Sequence, residues 1–273
     1  MTRAVSEISA NVALDSMRMK LPLFLPLLAA IVITAQLSCA RSNPATDSQP
    51  AASPTPTEQA VIDQILQRYE QALGGKEAVA GIKSFKLKGT FDLNRMHGTI
   101  EGWRKEPRKT LSVIEFPYIG TLKKGFDGET RWVQTPAGTF TDTSPQEVAE
   151  LERDAEAYSA GTIKSQFESM RLENKARLSG RDVYVIEGKP IKGPSEKLFF
   201  DVESGLLLRW DMARRQSNRG TVFVKVHLGD YKDVNGVKVP FKIRFAFESF
   251  NFTVNLEEVQ HNIDIDDAVF RKP

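Results

Sequence analysis

From Lys197 to Leu256 the apolar residues fall on every second position. Val222, Val224, Val226 and Leu228 alternate with Lys225 and His227. Phe241, Ile243, Phe245 and Phe247 alternate with Lys242, Arg244 and Ala246, and Phe250, Phe252, Val254 and Leu256 with Asn251, Thr253 and Asn255. Side chains two apart share a face of a strand, so a sustained period of two predicts antiparallel strands with one dry and one wet face. Asp201-Val202-Glu203-Ser204-Gly205 separates Leu198-Phe199-Phe200 from Leu206-Leu207-Leu208, and Asn235-Gly236 parts two further apolar runs. Both are hairpin signals, because these residues tolerate positive φ or bond their own backbone.

Upstream the pattern changes period. Val61, Ile62, Ile65, Leu66, Tyr69 and Leu73 recur at helical spacing after Thr57, which is placed as an N-cap, and Gly74-Gly75 ends the run. A turn or two follows from Lys76 to Ile82. Phe85 to Leu93, Ile100 to Arg104, Thr110 to Phe116, Leu122 to Phe126 and Arg131 to Gln134 then read as strands, with Asp127-Gly128-Glu129-Thr130 as a turn. Ser144-Pro145-Gln146-Glu147 is a capping box that predicts a second helix to about Tyr158. Its apolar stripe is narrow, and its acids, among them Glu147, Glu150 and Asp154, read either as a docking face for a basic envelope partner or as a solvated face. Lys175 to Leu178, Val183 to Glu187, Glu196 to Phe200 and Leu206 to Met212 return to strands. The expected fold is mainly β (α+β), a strongly curved antiparallel half-barrel of about ten to twelve strands with two helices covering its concave mouth.

Composition adds an address more than a chemistry. Met17-Arg18-Met19-Lys20 followed by the apolar run Leu21 to Leu37 reads as an export signal over residues 1–38, interrupted by Pro22 and Pro26 and short of the ~20 clean apolar residues of a membrane span. Removing it lowers the 37 basic and 35 acidic residues of the chain to 34 and 33, a balance that offers no footprint for nucleic acid. The one cysteine, Cys39, directly follows that run and has no disulfide partner. Residues 40–57 carry Pro44, Pro50, Pro54 and Pro56 among small polar residues, so residues 39–57 form a tether reaching up to about 50 Å at ~3.1 Å per residue. His97, His227 and His261 are dispersed, and no metal or other cofactor is expected.

Ala35-Gln36-Leu37-Ser38-Cys39 resembles a bacterial lipoprotein signal, which implies acylation of Cys39 and, with Ala40 next, an outer-membrane anchor facing the periplasm. Gln36 departs from that signal, and the alternative is plain cleavage near Ser38 and a soluble periplasmic protein. The helix ending Tyr69-Glu70-Gln71-Ala72-Leu73-Gly74-Gly75, the mid-chain helix, the hairpin around Asp201 to Gly205 and the stretch Asp230 to Pro240 together resemble the bacterial outer-membrane lipoprotein-sorting superfamily, the LolA/LolB-like half-barrels. The resemblance covers about residues 58–270 and assigns residues 58–273 to one such domain. It implies an unclosed barrel around an apolar hollow for acyl chains. The dry-face residues expected to line that hollow are Phe85, Leu87, Phe91, Phe241, Ile243, Phe245 and Phe247, with Trp103, Trp132 and Trp210 at the rim. A non-enzymatic lipoprotein that binds or shuttles a hydrophobic ligand, lipid or lipoprotein is the expected function. The alternative is an envelope scaffold whose core is filled. No Gly-x-Ser-x-Gly elbow, His-Glu-x-x-His or phosphate loop is present in the sequence.

Overall fold

The alternating runs pair as expected and pass the predicted strand number. The computed structural model describes residues 56–93, 96–142, 163–190, 193–216 and 220–273. The export segment, Cys39 and the acidic helix over residues 145–158 lie outside the described residues. Two helices, α1 (Pro56–Leu73) and α2 (Lys76–Ala80), precede the strands. β1 (Ser84–Leu93), β2 (Met96–Lys105), β3 (Lys109–Phe116), β4 (Gly120–Phe126), β5 (Arg131–Thr135) and β6 (Gly138–Asp142) make the first half of the sheet. β7 (Phe167–Leu172), β8 (Ala176–Leu178), β9 (Arg181–Pro190), β10 (Glu196–Asp201), β11 (Leu207–Gln216), β12 (Gly220–Val234), β13 (Val237–Ala246) and β14 (Asn251–His261) make the second.

All neighbours are antiparallel, in the order β6-β5-β4-β3-β2-β1-β14-β13-β12-β11-β10-β9-β7, with β8 paired to β9. The halves are joined where β1 meets β14, from Phe85 opposite His261 to Leu93 opposite Phe252. The edges are therefore β6 and β7, strands consecutive in sequence. Among the described residues no ladder joins them, so the sheet is unclosed. Its fourteen strands exceed the expected ten to twelve. The two extra strands are the edges themselves, and each hides its period. β6 is Gly-Thr-Phe-Thr-Asp, with one large apolar residue. β7 buries Phe167 and Met170, three apart, because its register against β9 slips between Phe167 and Ser169.

One face of the sheet curves around a single core. Ile114 of β3, Leu122 of β4, Ile186 of β9 and Phe245 of β13 all belong to the same buried cluster, although many strands separate them along the ladder order. Phe167 of β7 and Trp210 of β11 have ring centroids 6.3 Å apart although β9 and β10 separate their strands, so the sheet bends on that face. Cross-strand pairs bind the core: Phe245 stacks on Phe252 with ring centroids 4.6 Å apart, and Phe91 meets Phe116 edge-on at 5.0 Å.

α1 crosses the concave side. It begins at Pro56, so Thr57 sits inside the first turn and does not cap it; proline suits the first helical position, whose missing N–H has no intrahelical partner in any case. Ile62, Ile65 and Leu73 are buried, and Val61, Leu66 and Tyr69 pack at the margin, as their spacing requires. Near its start the Glu58 carboxylate accepts from the Leu172 N–H at 2.7 Å, on edge strand β7. Farther along, Arg68 donates to the Val202 carbonyl at 3.0 Å in the β10–β11 turn. At its end Gly74, φ +126°, lies so close to the β12–β13 turn that a Cβ would sit 2.0 Å from the Gly236 carbonyl oxygen. The glycine-containing turns that mark the hairpins thus also seat the helix.

The convex face carries the C-terminal segment. Phe270 is fully buried with Leu111, Trp132 and Ile265, and its carbonyl accepts from the Trp132 indole N–H at 2.8 Å. The Asp267 carboxylate pairs with Lys109 and, at 2.9 Å, with Lys105, which together hold its pKa down from 3.8 to about 2.

Two stability predictions follow from these contacts. Gly74→Ala should cost roughly 2–3 kcal/mol, because it combines a left-handed φ with a collision against backbone. Gly75→Ala, with φ +93° and nothing within 4 Å of the new Cβ, should cost about 1 kcal/mol; equal shifts in urea midpoint would show that the seat on Gly236 is unimportant. Asp267 has a folded pKa below its unfolded one, so its contribution is complete above the ordinary 3.8 and is lost as pH falls towards about 2. Thermal melts across that window should show a shallower acid decline for Asp267→Asn than for the wild type.

Candidate functional site

Among the described residues α1 and the short α2 lie against the concave face. Beside the C-terminal end of the helix a partly open hollow of about 230 Å³ remains. Its floor is the buried side chains Leu87 of β1, Trp210 of β11, Leu228 of β12 and Leu256 of β14. Tyr69 and Leu73 of α1 and Val79 of α2 form the roof. The volume lies just below the ~300–1,000 Å³ of pockets for drug-sized ligands, which suits one narrow chain.

Polar groups collect at the mouth, where Lys83, Arg104, Glu106, Lys238 and His261 meet the lining. Lys83 and Glu106 form an ion pair at 3.1 Å. Burial pushes the His261 pKa below its usual 6.5, against a bond with the Val234 backbone that pulls the other way. Deeper polar atoms are engaged by the scaffold. The Tyr231 hydroxyl donates to the Leu207 carbonyl at 2.7 Å, Ser84 Oγ to the Ile263 carbonyl at 2.5 Å, and the Trp210 indole N–H to Glu196 Oε2 at 2.8 Å. Tyr69 is held over the hollow by an edge-on contact with Phe200 at 5.3 Å.

Of the ten residues expected to line or rim the hollow, Phe85, Leu87 and Trp210 do meet it. Phe91, Phe241, Ile243 and Phe245 share the same face but are packed into the core cluster, and Phe247 stacks on Phe250 at 4.9 Å beside it. Trp103 and Trp132 sit on the convex face, where Trp132 lies over Gly125 and against Phe270 while Lys86 stands over Trp103 at 5.3 Å. Alternation along a strand separates two faces without saying which one becomes concave. The roof residues Tyr69 and Leu73 belong to the α1 stripe visible in the sequence, whereas Val79 lies in α2, where the sequence marks only a turn or two.

The other two histidines stay outside the hollow. His97 contacts Asp92, and His227 lies between Arg209 and Arg244 on the wet face of β11–β13, where burial and then Arg209 lower its pKa. The concave side itself is not uniform. By strand alternation Ser112 of β3, Lys124 of β4 and Arg131 of β5 fall on the face of Ile114, Leu122 and Val133, and all three are buried. Buried charge is costly ground for a hydrocarbon chain. The apolar hollow lies away from these charges, over β1, β14, β12 and β11 beneath α1 and α2.

No protein-family model and no curated protein matches the sequence. Solved structures do resemble the fold. A DUF1329 family protein from Desulfovibrio piger is 15% identical with a TM-score of 0.54, covering 80% of this chain and 98% of its own. A LolA superfamily protein from Nitrosomonas europaea is 13% identical with a TM-score of 0.51, covering 77% and 97%. An outer membrane lipoprotein-sorting protein domain from Vibrio parahaemolyticus is 10% identical with a TM-score of 0.50, covering 76% and 94%. At such identities the likeness is one of fold: this chain has the architecture of the LolA-like half-barrels.

Proposed function

We propose that this chain is an exported, non-enzymatic protein that binds a hydrophobic ligand in the hollow beneath α1 and α2, either to carry it or to hold it. The observation that carries the reading is the hollow's make-up: a buried floor of Leu87, Trp210, Leu228 and Leu256 below a charged mouth. Each methylene moved from water onto such a floor contributes roughly 0.8 kcal/mol. The polar atoms around it bond backbone carbonyls or one another, an arrangement that serves shape and supports binding without chemistry. The fold shared with a LolA superfamily protein and a lipoprotein-sorting domain supports the same reading. A second reading, an envelope scaffold, draws on the core packing of Phe91, Phe241 and Phe245, which fills much of the concave face.

The same proposal places residues 1–38 as the export signal, Cys39 as the acylated N-terminus of the mature protein, and residues 39–57 as the tether to the outer membrane, facing the periplasm. Contact with a basic envelope partner through the acidic segment 145–158 belongs to the scaffold reading.

Leu228→Trp fills part of the floor and tests ligand binding directly. Excluding even two methylenes should weaken a medium-chain acyl probe by about 1.6 kcal/mol, roughly fifteenfold, in a fluorescence titration. Overpacking should itself cost about 1–3 kcal/mol of stability, so a melt verifies that the variant folds. Wild-type protein that neither takes up acyl probes nor yields lipid in mass spectrometry would leave the scaffold reading in its place. In cells fed radiolabelled fatty acid, the wild type should become labelled and Cys39→Ala should not; equal labelling would remove the anchor.

A further inference from the structure

The charge at the mouth is unequal, and it names a class of ligand. Three cations, Lys83, Arg104 and Lys238, stand against one carboxylate, Glu106, among the residues that line the hollow. They are separated from the apolar floor: Lys83 and Lys238 are exposed and Arg104 half-buried, whereas Leu87, Trp210 and Leu256 are buried. We propose that the hollow selects a single-chain amphiphile with an anionic head, a carboxylate or a phosphate monoester, whose chain lies on the Leu87–Trp210–Leu256 floor and whose head meets Lys83, Arg104 and Lys238.

The chemistry of the mouth fits that ligand better than a neutral or cationic one. A guanidinium has five N–H donors in a fixed fork, more than one partner uses, so Arg104 can serve the scaffold and a head group together. Lys83 is shared with Glu106 at 3.1 Å across an exposed pair, and such pairs are weak in water. An anionic head that enters exchanges a weak partner for a charge-assisted bond next to an apolar surface. The small volume of about 230 Å³ sets the other limit, because it has room for one chain and not for the several chains of a triacylated lipoprotein end or a large glycolipid. Ligands of the opposite type, with a quaternary ammonium head, bring a cation to a site that already has three.

This inference rests on the hydrophobic-ligand reading above, and the test separates the two. Dodecanoate, dodecyl phosphate and dodecanol are titrated into the intact protein, followed by tryptophan emission, to which Trp210 in the floor contributes, and by displacement of the neutral probe N-phenylnaphthylamine. At least one anion should bind about tenfold tighter than dodecanol, as expected for a hydrogen bond to a charged group, and which anion leads tells a carboxylate head from a phosphate head. The preference should shrink as salt is raised. Lys83→Gln/Arg104→Gln/Lys238→Gln should bring the ratio to about one while dodecanol still binds. Glu106→Gln releases Lys83 and should raise the ratio, a gain that damage to the fold does not produce. Tight binding of dodecanol with no preference for either anion, or a preference unchanged in the triple variant, overturns the head-group assignment and leaves the hydrophobic pocket standing. Failure of all three ligands removes the pocket's function and this inference with it.

Discussion

The structure depends on how an open sheet with one dry face seats the helix laid across it. Among the described residues fourteen antiparallel strands leave two edges and an apolar concavity. α1 is held across it at widely spaced points: the Glu58 carboxylate on the Leu172 N–H at edge strand β7, Arg68 on Val202 in one hairpin turn, and Gly74 against Gly236 in another. The last contact is steric, set by the absence of a Cβ, and it determines how near the helix end comes to the β12–β13 turn. With the helix fixed in that way, its buried stripe of Ile62, Ile65 and Leu73 cannot spread over the remaining surface. The hollow lies beside the C-terminal end of that stripe, under Tyr69 and Leu73.

Much of this was legible before any coordinates. A period of two marks strands because consecutive side chains point to opposite faces, and β12, β13 and β14 are long enough for the signal to exceed chance. Asn235-Gly236, φ +52° and +83°, forms the tight hairpin that its residue types call for. The edge strands were not legible, for reasons internal to edges. A strand paired on one side only needs less apolar surface, so β6 carries a single phenylalanine, and the irregular register of β7 turns its spacing from two into three. The helix α1 begins at Pro56, two residues before the Glu58 that a cap at Thr57 implies, because Thr57 resembles a cap more than Pro56 does in sequence alone.

The site was less legible than the fold. Alternation puts Phe241, Ile243 and Phe245 on the face that the structure buries, yet whether a residue on that face touches a hollow or a neighbour depends on where the helix lands, and no local pattern carries that information. Trp103 and Trp132 show a second ambiguity. Alternation pairs Trp132 with Gly125 across the β4–β5 ladder, where the missing side chain gives the indole a flat seat, but the same pattern arises on either face. The return of the C-terminal segment, with the Phe270 carbonyl accepting from the Trp132 N–H, buries the convex side there as well.

The concave face finally limits what the hollow can do. Its β3–β5 part buries Ser112, Lys124 and Arg131 beside Ile114, Leu122 and Val133, whereas β11–β14, under the C-terminal end of α1, bury aliphatic and aromatic side chains. An apolar guest gains most where the lining is apolar throughout, at that second, helix-end part. That end is also where the helix stops, at Gly74-Gly75, and where α2 turns back over the sheet. The glycines that terminate the helix, the turn that receives it and the mouth of the hollow thus lie together. A shift of the helix end would alter the roof residues Tyr69 and Leu73 directly, so the contact that secures the fold also sets the height of the pocket.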